Sequence, residues 1–144
     1  MTSNITLLNA HGPFNQRVKT AWGFSALIDH QGSCLLFDTS GGDPKLFKNM
    51  QDLGIDVSKI QAVVRSYAHN GHTVGLVDLL HSGIQPEVYL HPAFPEDIQQ
   101  KVADMTKVVI TNPRMVIAEG IRTIGEMRGI LPDQALLIST GRGR

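Results

Sequence analysis

Two hydrophobic periods, the strand's and the helix's, take turns along this chain, and the switches between them mark out its elements. Residues 5–9 form a short apolar segment suited to an edge strand. Residues 22–29 and 33–38 are strand-like runs joined by His30-Gln31-Gly32, a connection of hairpin length. A turn-rich stretch from Asp38 to Pro44 then opens a helix, with Pro44 near the first turn, where its missing N–H costs nothing. Leu46, Met50 and Leu53 recur at helical spacing, and Gly54 supplies the stop. Residues 60–64 read as a buried strand and 73–81 as a second, apolar helix ended by Ser82-Gly83. Residues 87–90 are a further strand and 95–105 a polar third helix. Two more β-rich stretches follow at 107–111 and 135–140.

Helix alternating with strand through the first hundred or so residues predicts an α/β layer. The N-terminal hairpin and the β-rich tail predict a mixed sheet. No internal repeat, low-complexity tract or linker divides the chain, so residues 1–144 read as a single domain.

Composition narrows the functional classes. The chain is 42% hydrophobic and 18% charged, as expected of a packed globular domain. Thirteen basic residues balance thirteen acidic ones, so no global field recruits nucleic acid or an anionic membrane. No apolar run approaches the roughly 20 residues that span a bilayer, and no signal peptide is evident, which predicts a cytoplasmic protein. Cys34 is the only cysteine, so neither an intrachain disulfide nor a cysteine-rich zinc site can form. Its place in the run Ser33-Cys34-Leu35-Leu36-Phe37 predicts a buried, inert thiol. Trp22 is most simply a core residue, and Ser40-Gly41-Gly42 before a helix could cradle an anion.

The most chemically suggestive stretch runs from Val63 to Leu76: a β-branched run, Ser66, then Tyr67-Ala68-His69-Asn70-Gly71-His72, then the start of a helix. It resembles the metal loop of the metallo-β-lactamase-fold hydrolases, Ser-His-x-His-x-Asp-His-x-Gly-Gly-Leu. Ser66, His69, His72, Gly75 and Leu76 match. Tyr67 stands at the first His, Gly71 at the Asp and Val74 at the first Gly. Three other segments agree with one branch of that superfamily, the dihydropterin ribofuranosylaminobenzene phosphate synthase-like proteins. Trp22-Gly23-Phe24-Ser25-Ala26-Leu27-Ile28 resembles its Trp-Gly-Leu-Ser-x-Leu-Ile strand. Leu35-Leu36-Phe37-Asp38-Thr39 resembles its Leu-Phe-Asp-Thr-Gly turn, and Leu53-Gly54-Ile55-Asp56 its Leu-Gly-Ile-Asp. The stretch from Glu119 to Glu126 resembles a late element of the same group.

The resemblance implies roughly the N-terminal half of a four-layer αββα sandwich, a mixed sheet with helices on one face. Between Leu90 and Glu119 the chain is shorter than its relatives, and their later Gly-Cys-Ser-His ligand element has no counterpart. By the same resemblance His69 would bind the first metal of a dinuclear centre and His72 the second, with zinc or another divalent ion as the cofactor. Asp38 would support the loop through hydrogen bonds, and Tyr67 would pack or donate one bond behind the metals. A phenol of pKa about 10 is a poor zinc ligand, and Gly71 has no side chain to offer. His69 and His72 could share one ion, with His91, after the strand at 87–90, as the local candidate for a third ligand. His11, His30 and His81 lie at turns or helix ends without partner spacing.

Three functional readings stand at this level. One is a shortened, degenerate relative of metal-dependent hydrolases that acts as a binding or assembly module. Another is a hydrolase whose site is completed across a homodimer, and the last a truncated product without independent function. One sheet alone would expose an apolar face, and the strand at 135–139 would lack its hairpin partner; a homodimer would cover both.

Overall fold

The computed structural model describes residues 3–9, 24–39, 45–66, 73–125, 127 and 134–140. A six-stranded mixed sheet organises them, in the order β1-β2-β3-β4-β5-β6. Its strands are β1 (Ser3–Asn9), β2 (Ser25–His30), β3 (Ser33–Phe37), β4 (Ala62–Val64), β5 (Glu87–Leu90) and β6 (Val108–Ile110). The first three are antiparallel neighbours, and β3 through β6 run parallel. Parallel neighbours need crossovers, which α1 (Lys45–Asp52), α2 (Thr73–His81) and α3 (Glu96–Ala103) supply. The mixed α/β architecture predicted from the alternation of periods is the one observed.

The local chemistry of each junction follows from a few residues. Gln31 and Gly32 both take positive φ (51° and 82°), the two-residue type I′ geometry that matches the twist of a β-hairpin. Gly54 at φ 69° ends α1 in a Schellman motif, its N–H on Gln51 O at 3.0 Å and that of Ile55 on Met50 O at 2.9 Å. Leu46 and Met50 are buried as their spacing predicts, but Leu53 is 57% exposed. It lies one residue past α1, where the chain has already left the helical phase. Glu96 and Asp97 sit in the first turn of α3 and Lys101 in its last, the charge order that complements the helix dipole.

Strand alternation sorts the side chains of the large sheet onto two faces. Leu27, Leu36, Val63 and Val88 point to the face where Leu46, Met50, Leu76, Leu79 and Val102 of the three helices pack. Ile28, Leu35, Ala62, Val64 and Tyr89 point to the opposite face. All three helices therefore lie on one side of the sheet, as expected for half of the αββα layering.

The other face is not bare, which corrects the one-sheet expectation. A second antiparallel sheet, β7 (Val116–Ala118), β8 (Ile121–Thr123) and β9 (Leu136–Ile138), lies against it. Ile121, Ile117, Leu136 and Ile138 complete the second apolar cluster. The strand at the end of the chain pairs with β8 along Ile121–Ile138, Arg122–Leu137 and Thr123–Leu136, so it does not lack a partner. Strands of three residues leave too few alternations for a pattern to register, which is why this hairpin is not legible in the sequence. Gly120 closes the β7–β8 turn at φ 76°, and a Cβ there would meet His30 Nε2 at 2.5 Å. The ring of His30, 1% exposed and bonded from Nδ1 to Ser3 Oγ at 2.6 Å, thus fixes how closely this turn approaches the large sheet.

Candidate functional site

The ends of β3, β4 and β5 meet at one sheet edge, and the segment that resembles the metal loop leaves from β4. Asp38 follows β3 directly and adopts φ 59°, a left-handed conformation that Asp tolerates better than most residues. Its N–H donates to Val64 O at 2.8 Å, which continues the β3–β4 ladder past the strand end, and Ser25 Oγ donates to its carbonyl at 2.7 Å. The bend turns the carboxylate back over the start of the loop. Ser66 N donates to Oδ1 at 2.8 Å, and Ser66 Oγ donates to Oδ2. Asp38, 2% exposed, is thus held against Ser66, the last described residue before the loop.

Arg65 is the residue that the sequence reading missed. It is 2% exposed, its Nε lies 3.7 Å from Asp38 Oδ1, and its Nη1 donates to Thr39 Oγ1 at 2.5 Å. A buried guanidinium requires a partner, and Asp38 supplies the opposite charge. The sequence did carry a signal: a permanently charged residue directly after three apolar β-branched or small positions of a buried strand.

Gln134 ties this network to the second sheet. Its Nε2 donates to Arg65 O at 2.7 Å and its backbone N–H to Ser66 O at 2.9 Å. Thr111 and Thr123 donate to its Oε1 at 3.0 and 2.9 Å. A residue preceding β9 therefore clamps the root of the loop to the ends of β6 and β8. Nothing in the local sequence marks Gln134, because its partners are 11 to 69 residues away.

The candidate ligands His69 and His72, and Tyr67 behind them, lie outside the described residues, as do Trp22 and the Ser40-Gly41-Gly42 turn. His91, the candidate third ligand, follows β5 and is fully buried. Its Nδ1 accepts from Ala93 N at 3.2 Å, and its ring packs against Phe94 with centroids 4.6 Å apart. Among the described residues no group of three or more His, Cys, Asp or Glu side chains could hold one ion. Asp38 turns its oxygens to Ser66 and to the Arg65 side.

Cys34 is half-buried rather than buried, and packs against the helix-side core. Burial and then the charge of Asp29 push its thiol pKa up, with Lys59 opposing, so the thiolate is disfavoured. The expectation of an inert thiol agrees with that direction.

A cavity of about 280 Å³ beside the network is lined by Phe24, Phe37, Asp38, Ser66, Met127 and Gln134. Through Phe24, Phe37 and Ala135 it adjoins an apolar groove of similar size that runs toward Ile5 and Ile138. A larger recess of about 530 Å³, lined by Arg114, Arg122 and Thr123, opens elsewhere and meets the Gln134 network through Thr123.

With this geometry in view, solved structures give the fold a name. A Thermotoga maritima protein assigned as a metallo-β-lactamase superposes with a TM-score of 0.66 at 17% identity, over 99% of this chain and 75% of that one. The chain has the metallo-β-lactamase fold. YhfI of Bacillus subtilis, a protein of the same fold, gives a TM-score of 0.68 at 19% identity over 93% of this chain, which spans 56% of YhfI. The short form of human tRNase Z gives 0.62 at 14% identity, over 95% of this chain and 65% of that one. No protein-family model and no curated protein matches the sequence.

Proposed function

We propose that this metallo-β-lactamase-fold protein is a degenerate relative of the metal-dependent hydrolases, of the dihydropterin ribofuranosylaminobenzene phosphate synthase-like branch. In this reading it acts as a binding or assembly module and not through dinuclear catalysis. One observation carries the reading: Tyr67 and Gly71 occupy two of the four ligand positions of the loop, leaving His69 and His72. Catalytic zinc sites hold the ion with three protein ligands and keep one position open for water, and two imidazoles fall short of that. The electrostatics around Asp38 point the same way. Its negative charge is already balanced by the buried Arg65 guanidinium, so it adds little net attraction for a dication at the loop.

Elemental analysis of protein purified without an affinity tag or added metal tests this. Zinc, manganese and iron should each come out far below one ion per chain. Addition of zinc or manganese should produce no hydrolysis of phosphodiester or β-lactam reporters above the rate of His69→Ala. A near-stoichiometric ion that is lost in His69→Ala together with hydrolytic turnover would overturn the reading.

A further inference from the structure

The turn that leads into β7 holds an arginine in a backbone conformation suited to glycine. Met115 N donates to Asn112 O at 3.2 Å, which closes a turn with Pro113 and Arg114 at its centre. Pro113 fixes a negative φ, and Arg114 follows at φ 67°. That combination is a type II turn, whose third position favours Gly or Asn because a Cβ crowds the backbone there. The turn is nonetheless firmly held. Arg114 N donates to Thr123 O at 3.1 Å, and Thr123 N donates to Met115 O at 2.9 Å. Gly125, at φ 85°, lies so close that a Cβ on it would meet Pro113 Cα at 2.8 Å. Its N–H donates to Thr123 Oγ1 at 3.0 Å.

This turn delivers Arg114 to the recess of about 530 Å³, and Arg122 lines the same recess from β8. Ile121 is buried toward the large sheet, so strand alternation turns the next residue, Arg122, to the outer face beside its cross-strand partner Leu137. Ile124 and Leu137, both half-buried, add apolar wall, and no acidic residue lines the recess. Neither guanidinium makes an ion pair or side-chain hydrogen bond among the described residues. Thr123 Oγ1 is already committed to Gln134 and Gly125, which leaves the two arginines as the recess's charged groups.

We propose that this recess binds a phosphomonoester. Its phosphoryl group would sit between the guanidiniums of Arg114 and Arg122, and its apolar or aromatic body would lie on Ile124 and Leu137. Guanidinium forks match phosphate oxygens in pairs, and an anion relieves the repulsion of two like charges that share one recess. Two full cations balance the charge of nearly −2 that a phosphomonoester carries at neutral pH, which a single carboxylate does not. The volume falls within the roughly 300–1,000 Å³ of small-molecule sites, so it has room for a body beyond the phosphoryl group. A strained backbone that the surrounding bonds over-determine is the mark of a residue positioned for a ligand. None of the lining residues belongs to the metal loop, and the inference does not depend on how that loop is read.

Isothermal titration calorimetry of the full chain with phenyl phosphate, in low-salt buffer free of phosphate, reads the outcome. Phenyl phosphate should bind at one per chain, inorganic phosphate more weakly, and phenol not measurably. Arg114→Gln and Arg122→Gln should each weaken phenyl phosphate about tenfold or more, the loss of one charge-assisted pair, with circular dichroism and urea midpoint close to wild type. Arg114→Gly removes the guanidinium and relieves the backbone. It should weaken binding as much and leave the urea midpoint no lower than wild type. Lys101→Gln, on α3 beyond the large sheet, should bind as wild type does. Absence of phenyl phosphate binding at millimolar concentration would overturn the proposal. So would binding that survives both arginine substitutions, an equal loss in Lys101→Gln, or phosphate or benzoate binding as tightly as phenyl phosphate.

Discussion

At the residue scale, Asp38 joins several parts of the structure at once. It combines a left-handed backbone, a ladder bond to β4, both hydrogen bonds to Ser66 and the charge opposite Arg65. Removing it leaves a guanidinium in a 2% exposed site without its counter-charge. Asp38→Ala should therefore cost about 3–5 kcal/mol, the usual penalty for breaking a buried pair from one side. Urea denaturation would show this as a lower midpoint at unchanged slope. A loss no greater than that of an ordinary surface substitution would mean that Arg65 finds compensation elsewhere. The structural role of Asp38 was legible in the sequence only through the Leu-Phe-Asp-Thr motif. Gln134 was not legible, and Arg65 only as a charge directly after a buried strand, because their roles exist only after the ends of β3, β4 and β9 have come together.

At the element scale, β5 and the residue preceding β6 form a small titratable unit. Tyr89 Oη donates to Glu87 Oε2 at 2.8 Å, and Lys107 Nζ donates to Glu87 Oε1 at 3.1 Å. Burial, then the bond to Glu87, then the charge of Glu87 push the Tyr89 phenol up to about 12. The folded value lies above the ordinary one of about 10, so the fold favours the neutral phenol. The resulting stability is fully present below about 10 and is lost as pH rises through about 12. Glu87 is shifted the opposite way: its bonds to Tyr89 and then Lys107 lower its pKa. Its contribution is present above the ordinary carboxylate range and fades as pH falls through the lowered value. Ultraviolet titration of phenolate in a Tyr67→Phe background should show Tyr89 ionising well above a free tyrosine. Glu87→Gln should bring that titration down, because both the charge and the carboxylate acceptor are removed. An unchanged titration in Glu87→Gln would assign the whole shift to burial.

On the scale of the whole molecule, two layers of side chains hold two sheets and three helices together. The helix-side core is conventional in kind and is encoded by the periods of α1, α2 and the parallel strands. The core between the sheets depends on short strands that meet only in three dimensions, and Ile121 at 1% exposure is its contribution from β8. Ile121→Ala should destabilise the fold by roughly 2–5 kcal/mol, the range for truncating a buried aliphatic side chain. Val116→Ala on neighbouring β7, at a position 68% exposed, should stay within about 0.5 kcal/mol of wild type. Equal effects in urea denaturation would mean that the second sheet does not dock through Ile121.

The sequence by itself determined the helices, the parallel strands, the β2–β3 hairpin and the resemblance of the loop to a metal motif with two ligands replaced. These are local properties: period, turn chemistry and residue identity act within a few positions of each other. The tertiary structure decided that β7, β8 and β9 form a second sheet, and that Gln134 locks it to the root of the loop. It also decided that Arg65 pairs with Asp38 and that Arg114 and Arg122 line one recess. Each of these joins residues distant along the chain, where burial and charge pairing are fixed by how the layers stack and not by any neighbouring residue.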